Sequence, residues 1–171
     1  MPRRIRVLPN LADLEANFSY NPATGELRRL TSSGGYDGNR IVGTSNDHGH
    51  LICRYKKQIL YVHRVVWKLF YKEEPPHIID HANGNRADNR ICNLRKATNS
   101  QNGANQRRYN VLGASGVRGV HKLDTDKKWR SAIRFDKKVH YLGRFNTKEE
   151  AELAYKEASL RLAGDFSPFK E

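Results

Sequence analysis

Ile79-Asp80-His81-Ala82-Asn83-Gly84-Asn85, continued by Asp88-Asn89, Asn93-Leu94-Arg95 and Thr98 to Asn102, is the stretch that decides how the chain is read. It sets an acid beside a histidine at the end of a short apolar run, Ile78-Ile79, and follows them with a polar loop in which Asn83-Gly84 makes a tight turn. Ile91 and Leu94 are the apolar residues that fasten a returning strand. Thr98-Asn99-Ser100-Gln101 has the spacing of a capping box, in which the threonine accepts from the third helical N–H and the glutamine reaches back. A helix therefore starts there, with Asn102 in its first turn. Strand, loop, strand and helix come in that order.

An acid, a histidine and two later asparagines suit one hard metal ion and one general base acting on a phosphodiester. The stretch resembles the ββα-metal motif of HNH nucleases, and His63-Arg64 resembles the segment that precedes the motif in intron- and phage-associated members. The resemblance implies that Asp80 and Asn102 hold one Mg2+ (or Mn2+) per active site, that His81 deprotonates the attacking water, and that Asn93 holds the loop so that the His81 ring is oriented. The third signature position of the family is often a histidine; Asn102 stands there and favours ligation by oxygen. Arg64 and Arg95 are candidates for phosphate contact, each with a surface or structural role as the alternative, and His63 reads as structural support. A zinc site from His77 and His81 would need helix through the β-branched Ile78-Ile79 directly after Pro75-Pro76, which fits strand better.

Working outward, the formal charge of +13 over 171 residues points to a polyanionic partner, because neutralising phosphates releases condensed counterions. Hydrophobic residues make up 37% and charged residues 29%, and no apolar run approaches a membrane span. The N-terminus has a basic start but no apolar core, so no signal peptide is expected. Two cysteines, Cys53 and Cys92, can build neither a disulfide framework nor a four-thiolate zinc site, and read as reduced, partly buried thiols.

Upstream, Arg3, Arg4 and Arg6 lead into a short helix around 11–15, and either touch phosphate or are solvated. Phe18-Ser19-Tyr20 and residues 26–31 read as a hairpin about Asn21-Pro22-Ala23-Thr24-Gly25. A Gly- and Ser-rich loop covers 32–39, and strands follow at 40–43, 50–55 and 58–62. Val62, Val65, Val66, Leu69 and Phe70 then recur at helical spacing up to Pro75-Pro76.

Downstream, Arg107 and Arg108 sit in a polar connection that either follows a DNA backbone or is solvated. From Gly116 the pattern becomes three strands, at 117–121, 129–135 and 139–145, and then a helix opened by a second capping box, Thr147 and Glu150. Ala151, Ala154, Tyr155, Ala158 and Leu162 form its inner stripe, and Gly164 can end it. Residues 116–169 resemble the plant ethylene-response-factor DNA-binding domain, through Arg118-Gly119-Val120, Trp129, Ala132-Ile133-Arg134, Tyr141-Leu142-Gly143, Phe145 and Glu150-Ala151. The resemblance implies a sheet lying in a major groove, with Arg118, Arg134 and Tyr141 at contact positions and Arg130, Arg144 and His121 on the DNA-binding sheet. His121, Ala132 and Val139 depart from the family's usual residues, so its target sequence does not carry over.

The expected molecule is α+β. N-terminal strands and a helix lead into a ββα-metal unit in residues 1–103; a linker covers 104–115, and a three-stranded antiparallel sheet packed on one helix covers 116–171. The expected activity is homing-type, phage- or intron-associated endonucleolytic hydrolysis of double-stranded DNA, nicking one strand per active site as a monomer in the cytoplasm of a bacterial host. The alternative is a non-cleaving, sequence-specific DNA-binding regulator.

Overall fold

The helical spacing of Val62, Val65, Val66 and Leu69 produces helix α2 (Val62–Tyr71), and all four side chains are buried. The helix stops where Lys72 enters the left-handed region at φ 58° and its N–H returns to the carbonyl of Lys68. Around this helix the first half of the chain is assembled.

The computed structural model describes residues 7–32, 38–105, 115–125 and 127–170, and among them the architecture is α+β. The chain divides into two compact units, Met1–Lys96 and Ala97–Glu171. In the first unit, α1 (Leu11–Asn17) is capped by Asn10, whose side chain accepts from the Asp13 N–H. The antiparallel strands β1 (Phe18–Tyr20), β2 (Leu27–Arg29) and β3 (Arg40–Ile41) make one sheet, and β4 (Thr44–Ser45), β5 (Leu51–Tyr55) and β6 (Gln58–Tyr61) make another. Lys56 and Lys57, at φ 45° and 61°, form the two-residue hairpin turn between β5 and β6. Leu14, Phe18, Leu27, Leu60 and the inner face of α2 close one core.

The strand expected over 40–43 is split. Arg40–Ile41 pairs with β2, Val42 turns into the core, and Gly43 at φ 141° lets the chain cross to the sheet of β4. Of the two thiols, Cys53 is buried, with burial pushing it up to about 11, whereas Cys92 is exposed rather than partly buried. After Pro75-Pro76 the chain runs into β7 (Ile79–His81), pairs with β8 (Leu94–Lys96), and keeps a single 3-10 turn at Ile91–Asn93 between them. The apolar anchors Ile79 and Leu94 are both in the core.

In the second unit, α3 (Asn99–Asn105) begins at the Thr98 capping box: the Gln101 N–H donates to Thr98 Oγ1 at 3.2 Å and Gln101 Oε1 accepts from the Thr98 N–H at 2.8 Å. The sequence divides most naturally after residue 103, but the compact units divide after Lys96, because α3 touches a later helix, α4 (Lys148–Ala163). Strands β9 (Val120–Lys122), β10 (Trp129–Phe135) and β11 (Lys138–Phe145) form an antiparallel meander in the order β11-β10-β9. The first of them starts three residues later than its hydrophobic pattern suggests. Gly119 takes φ 72° ahead of it, at a place where a Cβ would lie 2.3 Å from the Ala132 carbonyl oxygen and 2.4 Å from the Tyr155 ring. That close approach lets Val120 and Ile133 pack on Ala151, Tyr155 and Ala158 of α4. The Thr147–Glu150 capping box opens α4, and Gly164 follows its end.

Candidate active site

The segment after β7 is folded by its own asparagines. The Asn85 N–H donates to Asn83 Oδ1 at 2.8 Å and the Ala87 N–H to Asn85 Oδ1 at 3.1 Å, two successive Asx turns that need short amide side chains at alternate positions. Asn93 ties both ends of the loop together. Its Oδ1 accepts from the Asn83 N–H at 2.9 Å, its Nδ2 donates to the Asp88 carbonyl at 2.8 Å, and its own carbonyl accepts from the Ala82 N–H at 2.8 Å. Asp88 braces the middle: it accepts from Arg90 Nη2 at 2.6 Å and Asn83 Nδ2 at 2.7 Å, and the Arg90 bond holds its carboxyl at about 2.

His81, at the end of β7, lies opposite Leu94, and both are buried. Its Nε2 is 3.4 Å from Oδ1 of Asn89, a residue only 1% exposed. The orientation of that amide is set on its other side, since Asn89 Nδ2 donates to the Ala87 carbonyl at 3.2 Å. Oδ1 can only accept, so the neutral ring carries its proton on Nε2 and keeps Nδ1 as the basic nitrogen. Burial pushes His81 below its usual 6.5, opposed by the Asn89 bond and by the charge of Asp80. At neutral pH the imidazole is therefore uncharged, the form a general base needs. The β1–β2 hairpin supports the same place from outside: Tyr20 Oη donates to the Asn89 carbonyl at 2.8 Å, and Gly25, at φ 79°, passes so close that a Cβ would lie 2.6 Å from the Arg90 nitrogen.

Asp80 is buried beside His81 and lies opposite Arg95, whose Nε and Nη2 both reach Oδ2 at 2.8 Å. Arg95, a phosphate-contact candidate from sequence, is thus the ion-pair partner of the candidate ligand. Arg64 is also engaged: its Nη1 donates to the Pro76 carbonyl at 2.8 Å and its Nη2 to the Pro75 carbonyl at 3.4 Å, which fixes the approach to β7. Asn102 lies on α3 and belongs with the second unit.

Two histidines that sequence reasoning gave no chemistry surround His81. His50, in the turn before β5, and His63, in the first turn of α2, have ring centroids 5.6 and 5.3 Å from His81 and 5.0 Å from each other. Burial, with the charge of His81 next, lowers His50 to about 4 and His63 well below its usual value. His50 carries no periodic signal of its own in the sequence, and His63 reads there as a core or capping residue. Only the packing of β5 and α2 against the β7 segment brings them together. His77 is exposed and stands outside this group, so the His77–His81 pair weighed from sequence is not the one the fold assembles.

In the second unit, the outward face of the meander is basic. His121, Arg130 and Arg144 lie in register across the three strands. Tyr141 is opposite Ala132, with the Arg130 guanidinium 5.5 Å from its ring, and Arg134 is opposite Val139. Arg118 is exposed and donates to the Gly103 carbonyl at 3.3 Å. Arg107 and Arg108 lie outside the described residues. Among the described residues no helix is long and apolar enough to cross a membrane.

No curated protein and no solved structure matches the chain. Residues 60–104 match the family model of HNH endonucleases, a span from the end of β6 through α2 and the β7–β8 pair into α3. With a buried His81 beside Asp80, that match supports an HNH nuclease domain at residues 60–104.

Proposed function

We propose that the chain is a site-directed DNA endonuclease of homing type, from a phage or intron setting, that nicks one strand per active site as a monomer. The observation that carries the chemistry is the buried His81, whose Nε2 lies 3.4 Å from Asn89 Oδ1, a contact that puts the ring proton on Nε2 and makes Nδ1 the basic nitrogen. In this reading Nδ1 takes a proton from water, the water oxygen bonds to phosphorus, the P–O3′ bond breaks, and the departing 3′ oxygen takes a proton from solvent, leaving a 5′-phosphate and a 3′-hydroxyl. Asn93 keeps the loop after His81 closed by its three bonds to the backbone.

The oxygen donors Asp80 and Asn102 suit a hard divalent ion, Mg2+ or Mn2+, by their chemistry, whereas three imidazoles do not. Such an ion supplies charge neutralisation at the scissile phosphate and at the departing oxygen. Arg95 shares the Asp80 carboxylate and sets its orientation.

Site choice falls to the second unit. Its row of His121, Arg130 and Arg144, with Arg134, Tyr141 and Arg118, is a basic, aromatic-bearing sheet face suited to a B-form major groove. Incubation of supercoiled plasmid carrying the target with Mg2+ tests the reading. Intact protein relaxes the plasmid and His81→Ala does not; binding without relaxation favours a DNA-binding regulator instead.

A further inference from the structure

We propose that His50, His63 and His81 form a binding site for one borderline transition-metal ion of the Zn2+ type, separate from the hard ion of the nuclease reading. The three side chains come from three elements, the turn before β5, the first turn of α2 and the end of β7, and their ligand nitrogens all lie within 4.8 Å of one another. A tetrahedral ion at ~2.0–2.1 Å from each nitrogen needs the nitrogens about 3.3 Å apart, so binding draws the rings together by about 1.5 Å at most. His63 is 8% exposed and His81 4% exposed, so two of the three rings are already withdrawn from water.

A purely structural cluster of rings leaves a polar group unexplained. Nδ1 of His50 and Nδ1 of His63 are both buried without a hydrogen-bond partner, and a buried ring nitrogen ordinarily has one. An ion between the rings gives such nitrogens a partner. Imidazole is a ligand for Zn2+, Co2+, Ni2+ and Cu2+ and a poor one for Mg2+, so the two donor sets discriminate between classes of ion. Three protein ligands leave a fourth position for water.

A consequence follows that rests on the reading of His81 as general base. A nitrogen of His81 that is bound to Zn2+ cannot accept a proton from water, so Zn2+ inhibits cleavage supported by Mg2+. The binding itself does not depend on that reading.

Co2+ is the probe, because four-coordinate Co2+ absorbs in the visible and reports its own coordination. Metal-free protein, without DNA, is titrated with Co2+ in excess Mg2+. The expected result is a visible band that saturates at one equivalent, persists in Mg2+ and is abolished by Zn2+. His50→Gln and His63→Gln each weaken Co2+ binding by about 100-fold or more, since each removes a direct ligand and outer partners alone are worth about 10–100-fold. Far-UV circular dichroism is recorded for each variant; should His63→Gln unfold, His50→Gln, at the less buried position, decides the matter. Absence of a stoichiometric band in the intact protein, or a band unchanged in His50→Gln, overturns the proposal. Plasmid cleavage with Mg2+ alone is measured in parallel. An active nuclease without the Co2+ band overturns only the metal site, and the band in a protein that does not cut overturns only the nuclease reading.

Discussion

Asn89 shows how one amide can set the chemistry of a neighbouring ring. Its Nδ2 is held by the Ala87 carbonyl and its own carbonyl by Tyr20 Oη, so Oδ1 has one orientation and His81 one neutral tautomer. Asn89→Ala is predicted to lower kcat about tenfold, equivalent to about 1.4 kcal/mol of barrier. The same bond raises the basicity of His81, so its loss moves the acid limb of the pH–rate profile to lower pH. A kcat fall with an unmoved limb would separate loss of packing from loss of the hydrogen bond.

The histidine group also links stability to pH. Unfolded imidazoles titrate near 6.5, whereas the folded protein holds His50 neutral down to about 4, through burial and the positive fields of His81, Arg86 and His48. Between those values the unfolded state binds more protons, so folding stability is complete above pH 6.5 and declines as pH falls toward 4. Urea unfolding at several pH values reads this directly. His50→Gln is predicted to flatten that interval.

At the scale of elements, the β1–β2 hairpin is a buttress for the loop that carries Asn89. Gly25 is the point of contact, with a positive φ and no room for a Cβ against the Arg90 nitrogen. Gly25→Ala is predicted to cost about 1–3 kcal/mol, the usual range for a strained backbone, and to lower cleavage by displacing residues 89–91. Thermal melting and plasmid relaxation together check both parts. The capping box of α4 supplies a contrast, because it lies far from the candidate chemistry in sequence and opens a helix in the second unit. Thr147→Ala is predicted to cost about 1 kcal/mol of stability and to leave Mg2+-dependent cleavage of saturating DNA unchanged.

For the molecule as a whole, the division into two units separates a nuclease-like half from a half with a basic sheet face. Charge of +13 predicts DNA binding that weakens steeply with salt. Arg130→Ala and Arg144→Ala are each predicted to reduce the slope of log K against log salt by about 1 where they meet phosphate. Fluorescence anisotropy of labelled duplex across a salt series measures it. Slopes unchanged in both variants would remove this face from the interface.

Local pattern was enough for much of the chain. The helical spacing of Val62 to Leu69, the capping boxes at Thr98 and Thr147, and the alternation in Trp129–Phe135 each act within one or two turns of chain, so they are legible without tertiary structure. The Asp80-His81 pair and its asparagines were legible for the same reason, since Asx turns are bonds between near neighbours. Other features depend on contacts across the fold. The break at Gly43 arises because neighbouring residues join different sheets, and Arg95 meets Asp80 only through the β7–β8 register. His50 and Asn89 acquired their places in the site through packing that brings distant segments onto His81, and a lone histidine or one asparagine among many carries no local sign of that. The sequence by itself determined most of the segments that are strand or helix and put Asp80, His81 and Asn93 forward as candidates for chemistry. Tertiary structure alone decided which side chains surround the histidine, because burial, tautomer and ligand grouping are properties of contacts between distant segments.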